Sequence, residues 1–179
     1  MRYADDFVVL ARVISDPILG FIHELLEGKM ELKLSEHKTR IVNLNDPGSS
    51  LDFLGYTFRF VRGRWKKRYL SLVPSKKALA KRREQVKYLT RRRNRASLPE
   101  VIAVLNKTLP PWGRYFSQGY PYEAFSQMDN YVRSRLIRYA ARRSQRPMRA
   151  PKGMTHYAWF QSLGLKRLTK FRSQPQTNR

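Results

Sequence analysis

The sequence predicts an α+β protein in which a region with several strands comes first and an all-α region follows. Residues 1–74 contain most of the segments that are rich in strand-forming residues, together with one amphipathic helical pattern. Residues 75–146 repeat their apolar side chains at helical spacing instead. Prolines and a glycine within 147–153 precede a short aromatic segment. We therefore predict three regions, 1–74, 75–146 and 147–179.

The first region is predicted to hold antiparallel strands and one helix. Ser15-Asp16-Pro17 favours a helix start, because a capping residue precedes proline in the first turn, and Gly28 favours a stop. Arg62-Gly63-Arg64 is expected to close a hairpin. One apolar helix face is formed by Ile18, Phe21, Ile22, Leu25 and Leu26. The predicted strands are 7–13, 32–34, 39–44, 51–61 and 65–73.

The second region is predicted to consist of three helices. Ser75 can cap the first, which extends to about Arg93, and Ser97 begins the second. Pro110-Pro111 is expected to kink or break the second helix, because proline lacks a backbone N–H. The third spans about 122–143. The side chains predicted to face the core are Leu79, Val86, Leu89, Ile102, Leu105, Leu109, Trp112, Phe116, Phe125, Met128, Val132, Leu136 and Tyr139.

The charge balance predicts a polyanionic partner. The chain has 37 Lys+Arg against 13 Asp+Glu, a net charge of +24, and nucleic acid is the usual partner of such a protein. The absence of cysteine excludes disulfides and thiolate metal sites. No apolar run reaches the roughly 20 residues of a membrane span, and early acidic residues do not fit a secretory signal. We expect a cytoplasmic protein without a membrane partner.

Arginines are concentrated in two parts of the helical region, and no acidic residue follows Asp129. Guanidinium groups pair with phosphate through two parallel hydrogen bonds and stack on bases. A solvated charged face is the alternative for any single run, but the overall charge favours RNA binding. The predicted RNA contacts are Arg91, Arg92, Arg93, Arg95, Arg133, Arg135, Arg138, Arg142 and Arg143. We expect the outer face of the third helix to carry Arg133, Arg138, Arg142 and Arg143.

Asp5 and Asp6 form an acidic pair between a tyrosine and an apolar run. Carboxylate oxygens are the preferred ligands of Mg²⁺, and paired metal ions clamp the oxygens that attack and leave in phosphoryl transfer. An isolated pair of this kind is far more often a pair of solvated turn carboxylates. The pair alone is therefore a weak signal for a metal site.

The surroundings of this pair resemble reverse transcriptases. Tyr3-Ala4-Asp5-Asp6 resembles their YxDD box, and 34–39 (LSEHKT) and 53–56 (FLGY) resemble the next palm motifs in order and spacing. Further segments resemble the maturase-specific domain, also called domain X or thumb, of group II intron proteins: Leu105-Asn106, 112–116, Phe125, 129–136, 157–160 and 163–165. The chain is thus similar to the C-terminal portion of a group II intron reverse transcriptase/maturase. The resemblance implies a partial palm at 1–74, a three-helix maturase or thumb domain at 75–146, and the end of the maturase region at 147–179.

The resemblance implies roles for individual residues. Asp5 and Asp6 would be two of three catalytic aspartates that bind Mg²⁺. Lys38 would lie near the primer-template or the incoming nucleotide, and Gly55 would belong to the primer grip. The RNA-binding thumb would include Trp112, Arg114, Tyr115, Phe116 and the arginines of the third helix. Group II intron RNA is the implied partner, with target DNA or a complementary N-terminal reverse-transcriptase chain as further partners.

The family carries its fingers and the first half of the palm, with the third aspartate, ahead of YADD. We therefore expect this chain to bind structured intron RNA and assist splicing, and to synthesise no DNA alone. Three alternatives stay open. The first is an RNA-directed DNA polymerase completed by a separate N-terminal chain, the second is a nonspecific basic binder of nucleic acid, and the third is a decayed gene fragment without a role.

Overall fold

A three-stranded antiparallel sheet packs against a group of helices, which confirms the predicted α+β class. The computed structural model describes residues 2–3, 6–33, 35, 37–63, 67–143 and 149–171. The strands are β1 (Arg2–Tyr3), β2 (Asp6–Phe7), β3 (Leu51–Phe53), β4 (Tyr56–Arg62) and β5 (Arg68–Pro74). The helices are α1 (Asp16–His23), α2 (Lys76–Leu89), α3 (Leu98–Tyr115), α4 (Tyr122–Ala141) and α5 (His156–Ser162). A π-helical turn, Glu24–Lys29, continues α1, and a 3₁₀ helix spans Leu168–Lys170.

The described residues before β3 form little regular structure, and several predictions for this part of the chain are wrong. β1 and β2 pair antiparallel, with Tyr3 opposite Asp6. The strand predicted at 7–13 is wrong beyond Phe7, and the described residues of 32–34 and 39–44 form no strand. Strand-forming residues become a strand only where a neighbouring strand pairs with them, and Leu32 and Thr39 instead donate to the nearby Leu26 and Ser35 carbonyls. The helix continues to Lys29, past the predicted stop at Gly28. No described residue between 7 and 50 is buried.

The predicted strand 51–61 is in fact two strands joined by a two-residue turn. Phe53 pairs with Tyr56, and Leu54 and Gly55 between them have φ of 49° and 80°. Two positive φ angles in succession are what a type I′ hairpin turn requires. The hairpin predicted around residues 62–64 is confirmed, since β4 and β5 pair from Tyr56 opposite Pro74 to Arg62 opposite Arg68.

The three predicted helices are present, with two corrections. Ser75 caps α2 as predicted, but α2 ends at Leu89 rather than Arg93. α3 runs unbroken through Pro110-Pro111, so the prediction of a break is wrong. Leu109 and Trp112 are buried on either side of the prolines. Two backbone hydrogen bonds are lost at the prolines, but the free energy gained by burying these large apolar side chains is greater than that loss and keeps the helix continuous.

One apolar core unites α2, α3, α4, α5 and the 3₁₀ helix, and it includes all but two of the side chains predicted to face it. α4 contributes a continuous buried face, and α5 and the 3₁₀ helix, which were not predicted as helices, add Phe160 and Leu168. The exceptions, Leu79 and Leu89, are partly buried and pack against this core, as does Tyr56 of the sheet. In the described ranges, no helix is both long and apolar enough to cross a bilayer.

Candidate nucleic-acid interface

The loop between α2 and α3, residues 90–97, folds back on the end of α2. The Thr90 hydroxyl donates to the Val86 carbonyl at 2.7 Å, and the Asn94 amide donates to the Leu89 carbonyl at 2.6 Å. Asn94 also accepts from the Ala96 N–H at 3.0 Å. These bonds satisfy carbonyls at the end of α2 and set the direction of the chain. Four arginine side chains of this loop are exposed: Arg91, Arg92, Arg93 and Arg95.

α4 and the residues that directly follow it fix this loop through three side chains spaced four residues apart, which are Arg135, Tyr139 and Arg143. Arg135 donates to the Thr90 hydroxyl at 2.8 Å and to carbonyls in the last turn of α2. Arg143 donates to the Arg95 carbonyl at 2.7 Å and to the Ala96 carbonyl. Residues four apart lie on one helix face. The loop backbone is therefore fastened along one side of α4.

Tyr139 is the buried centre of this attachment. It is 3% exposed. Its hydroxyl contacts the Asn94 carbonyl at 3.1 Å and the Ala96 carbonyl at 2.5 Å, and it accepts from Arg143 at 2.9 Å. The loop carbonyls of Asn94, Arg95 and Ala96 are thus hydrogen-bonded within the fold. The arginine side chains of the loop are left outside.

The loop and the end of α4 border an open cleft of about 480 Å³. We call it the basic cleft, and its lining residues are Arg91, Arg92, Asn94, Tyr139, Arg142 and Arg143. Among the described residues, its arginines form no ion pair with a carboxylate. The nearest carboxylate on α3, Glu100, accepts from the Ser97 backbone at 2.6 Å and from its hydroxyl at 2.8 Å. These hydrogen bonds, and then the charge of Arg143, lower the pKa of Glu100, so it remains a carboxylate held by Ser97.

The predicted RNA contacts do not share one surface. Arg114 is exposed in the last turn of α3, whereas the basic cleft lies beside the first turn. Because α3 rises about 1.5 Å per residue, these positions are separated by about 25 Å. Gly55 lies at the Arg114 end, where a Cβ atom would stand 3.2 Å from the Phe116 ring. The structure therefore separates Arg114 and Gly55 from the basic cleft.

The arginines of α4 also divide between its sides. Arg138 is exposed and Arg142 lines the cleft. Arg133 instead faces α5, with its guanidinium 5.9 Å from the centre of the Tyr157 ring. The prediction of one outward face for these residues is wrong for Arg133, because about 100° of rotation per residue turns it away from Arg138 and Arg142. Arg135 is partly buried and Arg143 is exposed, and both donate to backbone carbonyls at the end of α2 or in the 90–97 loop.

The aromatic residues near the end of α3 serve mainly as packing. Trp112 and Phe116 are buried, as expected. Tyr115 is 51% exposed, yet its hydroxyl donates to the Leu54 carbonyl at 2.9 Å. The Tyr56 hydroxyl donates in return to the Tyr115 carbonyl. Burial, with a smaller contribution from Tyr115, raises the pKa of Tyr56 to about 12. These contacts fasten the β3–β4 turn to α3.

The predicted metal and primer residues remain untested. Asp5 lies outside the described residues, and for Asp6 the structure describes the backbone, which belongs to β2, but not the side chain. Within the described part of the chain, no three side chains of the His, Asp and Glu types come together as metal ligands do. Lys38 is exposed in a turn where its N–H donates to the Ser35 carbonyl at 3.0 Å. Magnesium binding and the role of Lys38 stay predictions.

Sequence reasoning missed the residues that build the interface from within. Asn94 and Tyr139 organise the loop, and Tyr157 and Arg167 form a contact on the other side of α4. The four-residue spacing of Arg135, Tyr139 and Arg143 was a visible signal that they share one face. Their partners, which are carbonyls of a distant loop, leave no trace in the sequence.

One family model matches the helical part of the chain. It is described as group II intron, maturase-specific domain, and it matches residues 79–158. The match includes the basic cleft, most of α2, all of α3 and α4, and the start of α5. It supports a maturase-type function, in intron splicing, for the C-terminal part of the chain. The palm motifs at 3–6, 34–39 and 53–56 lie outside it. No curated protein matches the chain.

Proposed function

We propose that this chain binds structured group II intron RNA through the basic cleft and assists splicing of that intron. The observation that carries the proposal is the held loop at 90–97. It presents four exposed arginines, while its backbone is satisfied by α2 and α4. A surface whose charged groups are already positioned binds with a smaller entropic cost than a mobile basic segment.

The charge distribution favours a phosphate backbone as the ligand. Arg91, Arg92 and Arg142 line the cleft without a carboxylate partner among the described residues. Their charges are therefore available to neutralise phosphates and release counterions. Exposed loops, bulges and helices of a folded RNA all present such phosphates, so binding should favour structured RNA over isolated nucleotides.

A salt titration tests this proposal. The triple variant Arg91→Gln, Arg92→Gln and Arg142→Gln should bind a group II intron RNA more weakly than the unaltered chain. The slope of log affinity against log salt concentration should become less steep by about two to three, because each lost phosphate contact accounts for about 0.7–0.9. The control variant loses the same charge at exposed lysines outside the cleft, Lys76→Gln, Lys81→Gln and Lys107→Gln. An equal effect of both variants would leave only nonspecific attraction by net charge.

A competition experiment distinguishes recognition of the intron RNA from nonspecific binding to any nucleic acid. At physiological salt, an intron RNA should resist displacement by a mass excess of duplex DNA. A splicing assay then follows, in which the chain should increase the rate of intron excision and the triple variant should not. Equal displacement by both nucleic acids would refute recognition of the intron and favour a basic binder.

We propose for residues 1–74 a role as part of a reverse-transcriptase palm that works with a complementary chain. The antiparallel pairing of β1 with β2, with Tyr3 opposite Asp6, supports this role. Phe21 and Leu25 of the predicted apolar helix face are exposed, which is consistent with a missing partner surface. Asp5 and Asp6 would then supply carboxylates for Mg²⁺. Primer extension on an RNA template should require an added N-terminal palm polypeptide. It should be abolished by Asp5→Asn or Asp6→Asn, and synthesis by either aspartate variant would refute the role.

A further inference from the structure

A second group of cations lies on the side of α4 that faces α5. The Arg133 guanidinium stands 5.9 Å from the centre of the Tyr157 ring, and the Arg167 guanidinium stands 4.4 Å from the same ring. Arg133 belongs to α4, Tyr157 to α5, and Arg167 to the segment just before the 3₁₀ helix. Three separate parts of the chain thus bring two positive charges to one tyrosine.

Within the described residues, no carboxylate forms an ion pair with either arginine of this cluster. The nearest carboxylate along α4 is Asp129, and both of its oxygens are engaged elsewhere. They accept from the N–H groups of Leu168 and Thr169, at 2.9 and 3.2 Å, and from the Thr169 hydroxyl at 3.0 Å. No acidic residue follows Asp129 in the sequence. Neither Arg133 nor Arg167 forms an ion pair in the described part of the chain.

Partial burial of the two arginines strengthens their attraction to an anion. Both arginines are half-buried, and the Nε atom of Arg167 is buried without a hydrogen-bond partner among the described residues. A positive charge that has lost part of its hydration gains more from an added counterion than a fully solvated one. The Tyr157 ring supports the two guanidiniums by cation–π contact, which limits the orientations that they adopt.

We propose that Arg133, Tyr157 and Arg167 form a second phosphate-binding site for the RNA backbone. Two guanidiniums that share one ring lie within reach of the same phosphate or of neighbouring phosphates. About nine helical positions separate Arg133 from Arg142, which places the new site and the basic cleft on opposite sides of α4. The inference rests on the proposed function, and it adds that the bound RNA contacts both sides of this helix.

Chemical footprinting of the unaltered chain tests the site. Phenylglyoxal modifies accessible arginines, and mass spectrometry reports each position separately. Saturating intron RNA should lower the modification of Arg133 and Arg167 at least threefold, together with that of Arg142. Protection of Arg142 alone would overturn the second site and leave the proposed function intact. If RNA protects none of the three, the proposed function fails as well.

A salt titration of variants gives an independent measure. Arg133→Gln with Arg167→Gln should lower the salt dependence of RNA affinity by about 1.4–1.8 units, the value for two phosphate contacts. This loss should add to that of the cleft variant, because the two sites are separate. The charge-matched control is Lys76→Gln with Lys107→Gln, which should leave the salt dependence close to that of the unaltered chain. A salt dependence equal to the control's would overturn the proposal.

A charge-retaining pair distinguishes phosphate binding from a structural role. Arg133→Lys with Arg167→Lys keeps both charges but removes the planar donor geometry. This variant should keep the salt dependence while its affinity falls about three- to tenfold. Inorganic phosphate at increasing concentration should compete with RNA at the unaltered site more strongly than chloride of equal ionic strength. Equal competition by the two salts would contradict a site built for phosphate.

Discussion

Replacing Tyr139 with phenylalanine tests the attachment of the basic loop without changing any charge. The substitution removes one hydroxyl that contacts the Asn94 and Ala96 carbonyls and accepts from Arg143. A buried neutral hydrogen bond contributes about 0.5–1.5 kcal/mol, and a stranded buried acceptor costs about 1–3 kcal/mol. Arg143 still donates to Ala96, so mainly the Asn94 carbonyl loses a partner. We expect Tyr139→Phe to lower the free energy of unfolding by about 1–2 kcal/mol.

Urea unfolding followed by tryptophan fluorescence measures this loss, since Trp112 is buried in the same core. The matched control is Tyr88→Phe, because Tyr88 is 61% exposed. That change should alter the free energy of unfolding by less than about 0.5 kcal/mol. Equal losses for the two variants would refute the reasoning, because the Tyr139 hydroxyl would then have no special role.

The same variant separates loop order from charge in RNA binding. Tyr139→Phe removes no positive charge, so the salt dependence of affinity should be unchanged. The affinity itself should fall about three- to tenfold, because binding must then order a looser loop, and tenfold corresponds to 1.4 kcal/mol. A changed salt dependence would mean that the substitution disturbs the phosphate contacts themselves.

Three further predictions concern stability. Asp129→Asn should lower the free energy of unfolding, measured by urea unfolding, by about 2–4 kcal/mol, because buried N–H donors of the 3₁₀ helix lose a charged acceptor. A loss below about 1 kcal/mol would contradict this prediction. Gly119 and Gly153 both have positive φ, but a Cβ at Gly119 would stand 2.5 Å from the Leu72 carbonyl oxygen, whereas a Cβ at Gly153 would meet no atom of the described residues within 4 Å. Gly119→Ala should therefore cost about 3 kcal/mol and Gly153→Ala about 1 kcal/mol, and equal thermal shifts would be inconsistent with the clash. Burial raises the pKa of Tyr56 in the folded state to about 12, so the stability that its neutral hydroxyl contributes is complete below about pH 10 and is lost as the pH rises through 12. The difference in urea midpoint between the unaltered chain and Tyr56→Phe should therefore shrink over this pH range. A difference that stays constant from about pH 10 to 12 would refute this prediction.

The sequence by itself determined the helical region closely. Helix signals are local: Ser75 and Ser97 accept from N–H groups three residues ahead, and the apolar spacing identifies the buried face. The net charge likewise follows from composition and indicates the class of partner. Strands were less well predicted, because pairing depends on residues that are distant in sequence. The segment 51–61 became two strands through a turn at Leu54-Gly55.

Only the tertiary structure decided which arginines are available to a ligand. By sequence, Arg133, Arg135, Arg138 and Arg143 are equivalent members of one basic helix. In the fold, Arg135 and Arg143 donate to carbonyls of the 90–97 loop, Arg133 contacts Tyr157, and Arg138 is exposed. The reason is physical: a guanidinium has five donors that can bind a backbone carbonyl or a phosphate equally well. Which of them it meets depends on what packs against each face of α4.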